Sequence, residues 1–153
     1  MPFPATNAAL ARALATQSYD EPTEVQAAVL RPDAEGRDLL VSAQTGSGKT
    51  VAFGLAIAST LLGDAERFDA GSAPLALIIA PTRELALQVH RELTWLYAET
   101  GASIATCVGG MDARREARAL GFGVHIVVGT PGRLKDHIDR GNLDLSELKV
   151  AVL

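Results

Sequence analysis

The chain has 153 residues, 48% hydrophobic and 21% charged, an ordinary globular composition that excludes collagen-like, low-complexity and charge-dominated disordered classes. Its 14 basic and 18 acidic residues leave a net charge of −4, which argues against a surface that coats polyanions generally and confines any nucleic-acid contact to a local patch. No stretch approaches the roughly 18 consecutive apolar residues of a membrane span, the N-terminal residues lack a basic region followed by a signal-type apolar stretch, and a single cysteine, Cys107, fits a reducing cytoplasmic setting.

The length suits one domain that buries roughly two thirds of its unfolded surface. Apolar residues recur at helical spacing through Leu10 and Leu14, then through Val25, Ala28 and Val29, with Thr23 placed as an N-cap just after Pro22; two short helices are predicted. Residues 38–41 read as a strand, 43–50 as a glycine-bearing turn and 51–62 as an apolar helix. The Gly-, Asp- and Ala-rich stretch 63–74 reads as a surface loop. Residues 75–80 form a continuous apolar run, and 83–100 place Leu85, Val89, Leu93 and Leu96 on one helical face. Two more apolar runs, 103–108 and 125–128, flank a charged helical stretch around 114–120. There Arg114, Arg115 and Arg118 interleave with Asp112 and Glu116, the pattern of a solvated face rather than a basic patch. A helix over 131–140, with proline in its first turn, leads to a last run at 149–153.

Five short runs that are apolar on both faces, mostly separated by helical patterns, predict an α/β fold: a parallel sheet in a three-layer α/β/α sandwich. His90, His125 and His137 are scattered, no Cys or His cluster has metal-ligand spacing, and each histidine is expected to be structural or on the surface.

The stretch "AQTGSGKT", residues 43–50, lies between a predicted strand and a predicted apolar helix, the context of a phosphate-binding loop. Gly46 and Gly48 can take backbone angles closed to other residues, so successive N–H groups turn inward toward an anion at the positive end of the next helix. Lys49 would reach the β and γ phosphates, and Thr50 would offer its hydroxyl to Mg2+. Ala43 stands where the strict pattern has glycine. Such a loop indicates nucleotide binding without naming an enzyme, since kinases, transporters, GTPases and helicases all carry one.

Together with "SYDEPTEVQ" (18–26), "APTREL" (80–85), the pair Gly109-Gly110 and "GTPGR" (129–133), the loop makes the chain resemble, over residues 3–153, the first RecA-like domain of a DEAD-box RNA helicase. The resemblance implies a RecA-like P-loop NTPase fold, ATP and Mg2+ as cofactors, and single-stranded RNA bound through its backbone with little regard to sequence. It implies that Gln26, whose amide is both donor and acceptor, reads the adenine edge, and that Phe3 matches the family's upstream aromatic that stacks on the base. Tyr19 and Thr23 belong to the same nucleotide-binding region, Tyr19 packing beneath it and Thr23 supporting the phosphate loop. That loop supplies Ala43, Gln44, Thr45, Gly46, Ser47, Gly48, Lys49 and Thr50, with Lys49 as the catalytic residue. Glu24 and Val25 replace the family's usual proline and isoleucine. Pro81, Thr82 and Arg83, then Gly109 and Gly110, then Thr130, Pro131, Gly132 and Arg133 match positions that hold the RNA sugar-phosphate backbone.

Residues 149–153 resemble the strand that the family follows with Asp-Glu-Ala-Asp. By that resemblance the chain is a single helicase domain cut short before its catalytic carboxylates, and it lacks the second RecA-like domain that is a partner in the parent. It is expected to bind nucleotide without hydrolysing it or unwinding RNA. Two alternatives stay open at this point: another P-loop NTPase such as a nucleoside kinase, or a non-catalytic adaptor.

Overall fold

Residues 76–79 alternate their side chains between two sheet faces, and both faces are apolar, so a layer of helices has to cover each. The computed structural model, which describes residues 2–4, 6–44 and 46–153, shows this arrangement. Four strands, β1 (Ala76–Ile79), β2 (Ile104–Cys107), β3 (Ile126–Gly129) and β4 (Val150–Val152), form a parallel sheet in the order β2-β3-β1-β4. Ala76 and Ile78 face a large core built with α1 (Ala8–Thr16), α3 (Lys49–Ala56), α4 (Ala58–Leu62) and α5 (Arg83–Leu96). Leu77 faces the opposite side, where Val127, Leu120 of α6 (Ala113–Gly121) and Leu134 of α7 (Pro131–Asp139) close a second core. The fold is therefore the expected three-layer α/β/α sandwich.

The sheet's register aligns three strand ends on one rim. Ile79 pairs with Gly129 and Gly129 with Cys107, so β1, β3 and β2 end at one level, and the turns that follow them emerge side by side at the carboxyl edge. This is where open α/β sheets bind ligands.

Local chemistry explains most element boundaries. Thr23 caps α2 (Glu24–Val29) in a capping box with Gln26, Thr82 caps α5 through Leu85 N–H, and Asp112 caps α6. Pro131 occupies the first turn of α7, where its missing N–H costs nothing. α3 and α5 approach closely at Gly54, whose carbonyl accepts a 2.6 Å bond from the buried Tyr97 hydroxyl.

Two expectations are corrected. Residues 38–41 form no strand: Leu39, Leu40 and Val41 are exposed, Leu40 completely. A strand exists only through a neighbour's N–H and C=O groups. Both edges of β1 are taken by β3 and β4, and nothing among the described residues pairs with 38–41. The helix expected over 51–62 begins earlier, at Lys49, and divides at Ile57 into α3 and α4.

Cys107 sits fully buried at the end of β2, where burial, with a smaller contribution from Glu116 and against the pull of Arg133, pushes its thiol from 9.0 up to about 12. A raised thiol pKa means that the native state resists ionisation while the unfolded chain does not. The stability it carries is complete below pH 9 and is lost as pH rises toward 12. Urea unfolding should show native stability falling by about 2 kcal/mol between pH 8.5 and 10.5, with a shallower slope in Cys107→Ala; equal slopes would refute the assignment.

Candidate functional site

The candidate phosphate loop, residues 43–50, is shaped by its own glycines. Gly46 and Gly48 have φ of 82° and 83°, in the left-handed region that favours glycine, and Gly48 is the N-cap from which α3 starts. A side chain at Gly48 would also have no room, since a Cβ there would come within 2.4 Å of the Gln26 amide nitrogen. Lys49, exposed at the first turn of α3, folds back so that Nζ donates to the Ala43 carbonyl at 2.6 Å. Ser47 N–H donates to Gln44 O, and Ser47 Oγ is buried without a hydrogen-bond partner among the described residues. Thr50 follows on α3, partly exposed. Thr45 lies outside the described residues.

Gln26 is fully buried and ties the start of α2 to this loop. Its Oε1 accepts from Thr23 N–H at 3.0 Å and its Nε2 donates to Gly48 O at 3.2 Å. Each atom retains a second valence, one hydrogen on Nε2 and one lone pair on Oε1. Thr23 Oγ1 lies beside Gly48 as well. A cavity of about 620 Å³ opens between α2 and residues 39–44 and is bordered by Thr23, Gln44 and Ser47 of this region. The two aromatic candidates lie elsewhere: Phe3 packs partly buried against the main core, and Tyr19 packs at a tilt of 35° against Trp95 of α5, ring centroids 5.3 Å apart.

At the sheet's rim three turns meet. Pro81 and Thr82 are exposed after β1, Gly109 and Gly110 are exposed after β2, and Pro131 and Gly132 are exposed at the start of α7. Thr130 is the N-cap of α7, with no side-chain capping bond. Arg83 reaches across from α5: its Nη2 lies 3.7 Å from Met111 Sδ, and a Cβ on Gly110 would meet its Nη1 at 2.8 Å. Arg133 arrives at the same turn from the other side, both Nη1 and Nη2 donating to Met111 O at 3.2 Å. The two arginines therefore flank one turn, but in different states. Arg83 is exposed, whereas the Arg133 side chain is 16% exposed and is also paired with Glu116 at 2.8 Å.

Glu116 is the residue that pattern reading missed. It is 7% exposed, not part of a solvated face. Oε2 accepts from Val108 N–H (3.0 Å), and Oε1 accepts from Arg133 (2.8 Å) and lies 2.9 Å from His137 Nε2. Fold, not spacing, gathers Cys107, Glu116 and His137, whose possible ligand atoms lie within 4.8 Å of one another. A metal there would have to displace the Arg133 guanidinium, which already balances the carboxylate. The signal in the sequence is that Glu116 and Leu120 stand four residues apart and so share one face of α6.

Comparison with known proteins identifies the family and the fold. The model of the DEAD/DEAH box helicase family matches residues 23–153. The chain is 46% identical over 130 residues to DEAD-box ATP-dependent RNA helicase 53 of Oryza sativa subsp. japonica, covering 84% of this chain and 21% of that protein. It is 44% identical over 147 residues to ATP-dependent RNA helicase DeaD of Escherichia coli (strain K12), covering 95% of this chain and 22% of that one. It thus spans about a fifth of the length of these relatives. The crystal structure of a DEAD box protein from the hyperthermophile Methanococcus jannaschii superposes with a TM-score of 0.82 at 32% identity, over 97% of this chain and 39% of that one. Matched across most of its length by the family model and superposable on a member's fold, the chain belongs to the DEAD/DEAH box helicase family.

Proposed function

We propose that the chain is the ATP-binding and RNA-backbone-binding lobe of an ATP-dependent RNA helicase, working in its parent with a second RecA-like domain to couple ATP binding and hydrolysis to the remodelling of RNA. One observation carries this: a phosphate loop and three strand-to-helix turns in one small domain, the turns converging on Gly110 and Met111 between Arg83 and Arg133.

The chemistry follows from main-chain donors. N–H groups at a glycine-shaped loop and at a helix start hold phosphate oxygens without reading base identity. The buried Ser47 hydroxyl, without a partner among the described residues, fits a site completed by an anion's oxygens. Lys49 exchanges its bond to Ala43 O for the β and γ phosphates, and Thr50 is the residue that would hold Mg2+, an ion that neutralises charge on the transferring phosphoryl group. Gln26 reads adenine with its second valences. Because its side chain is fully buried against Gly48, that contact requires residues 23–26 to shift relative to the loop, which links base recognition to loop shape. An acidic chain can bind RNA in this way, through polarised helix starts on one rim while the rest of its surface stays negative.

The family's Asp-Glu-Ala-Asp motif is not among the 153 residues, so the chain alone binds ATP without turning it over. The test is fluorescence anisotropy with fluorescein-labelled oligouridylate and oligocytidylate, alongside phosphate release at saturating ATP. The expected result is binding of both oligomers within about twofold, as backbone recognition requires, and no phosphate above background. RNA-dependent turnover would overturn the inactivity, and absence of any single-strand binding would overturn the RNA assignment.

A further inference from the structure

We propose that Glu116 is a positioning residue for the RNA-backbone grip, its buried carboxylate acting through Arg133 to hold the Gly109-Gly110-Met111 turn against the start of α7. The proposal rests on the RNA assignment above and adds a residue and a working part to it.

The geometry is a relay with few loose ends. Glu116 Oε2 accepts the main-chain N–H of Val108 at 3.0 Å, fixing the carboxylate to the residue that leads into the glycine turn. Oε1 takes Arg133 Nη1 at 2.8 Å and His137 Nε2 at 2.9 Å. His137 is buried, and Asn142 Nδ2 lies 3.2 Å from its Nδ1; the tautomer that satisfies both contacts carries its hydrogen on Nε2. The carboxylate therefore receives donors from the β2–α6 connection and from two turns of α7. Arg133, held in this way, uses both Nη1 and Nη2 on a single acceptor, Met111 O.

The chemistry separates this role from direct contact. Arg133 has its fork committed to Glu116 and Met111 and little exposed surface, so a phosphate cannot take it without breaking the pair. Removing one partner of a buried ion pair leaves the other unpaired in a poor solvent, a large penalty. Arg83 is exposed and rests on the same turn from outside, so it is the arginine that remains available to phosphate. Arg133 holds the surface on which the backbone lies. Glutamine at 116 would keep one oxygen but present an NH2 to donors that need an acceptor, a mismatch rather than a conservative change.

The test uses the full 153-residue chain. Glu116→Gln should weaken fluorescein-oligouridylate binding about thirtyfold or more, the scale for truncating one partner of a buried charge pair, while affinity for a fluorescent ATP analogue is unchanged. Arg133→Lys and the double variant should each lose about the same factor as Glu116→Gln, because residues acting in series are not additive. A merely structural role predicts additive losses and a parallel loss of ATP-analogue affinity, and that outcome overturns the proposal. A second readout needs no RNA: Met111 N–H, bonded to Val108 O at 3.4 Å, should exchange with deuterium about tenfold faster in Glu116→Gln, with α3 amides unaffected. If the unmutated chain binds no RNA, the functional assignment fails, and unchanged Met111 exchange then refutes the positioning role separately. Should Glu116→Gln not fold, Arg133→Lys carries both readouts, and unchanged RNA affinity and exchange in that variant would likewise refute it.

Discussion

Lys49→Ala is expected to reduce affinity for every nucleoside triphosphate by roughly a hundredfold or more, since an ammonium group at a desolvated phosphate supplies several kcal/mol. The fold should tolerate the change. Lys49 is exposed, and its side-chain hydrogen bond among the described residues is to Ala43 O in the loop itself, so α3 loses a charge at its first turn and no core contact. Gln26→Ala is expected to behave differently in the same experiment. It removes the tie between α2 and Gly48 and the capping-box bond to Thr23, so it should erase the preference for adenine over guanine and also lower affinity modestly for both. Competition of ATP and GTP against a fluorescent ATP analogue separates the two effects. A Gln26→Ala chain that still prefers ATP would refute adenine reading, and a Lys49→Ala chain with unchanged affinity would refute the phosphate assignment.

A large stability effect is expected at Gly129, the last residue of β3. A Cβ at this position would meet Cys107 O at 2.6 Å and Leu134 Cδ2 and Cγ at 2.7 and 2.8 Å. Cys107 O cannot retreat freely, because it accepts Thr130 N–H at 3.1 Å, the bond that fixes the turn into α7. Leu134 is itself buried in the second core. A methyl group therefore has to force apart two strands or push a helix off the sheet, and Gly129→Ala should cost about 3 kcal/mol or more, toward the upper end of overpacking. Thermal unfolding by circular dichroism would read this as a drop in midpoint on the order of 10 °C for a chain of this size. A midpoint within a degree or two of the parent would show that β3 and α7 yield more easily than their contacts imply.

What could be read in advance divides along a physical line. The helices, the three-layer arrangement and the turns at 81–83, 109–110 and 130–133 were legible because caps, glycines and apolar periodicity are local properties, and a parallel sheet aligns strand ends without further instruction. Residues 38–41 were misread for the complementary reason. Their apolar pattern satisfies every local criterion for a strand, yet strand formation needs a neighbour, which no local pattern contains. Glu116 was hidden in the same way. The three arginines around it, Arg114, Arg115 and Arg118, suggest solvent, and only the packing of α6 against β2 and the approach of α7 turn it inward to Arg133 and His137. For Gln26 it is the surroundings that pattern reading could not supply: the resemblance implied a base contact, and the fold shows the same amide bonded to Gly48 O at the start of α3.

The strand order has a consequence for how the chain is made. Both partners of β1 are translated after it: β3 begins at Ile126 and β4 at Val150, opposite Ala76. A nascent chain leaving the ribosome must therefore carry Leu77 and Ile78 for about fifty residues before the first of them arrives, an interval of a few seconds at roughly 5–20 residues per second. During that interval α5 can shelter only one side of the unpaired strand, which makes this the moment when a holding chaperone would matter most.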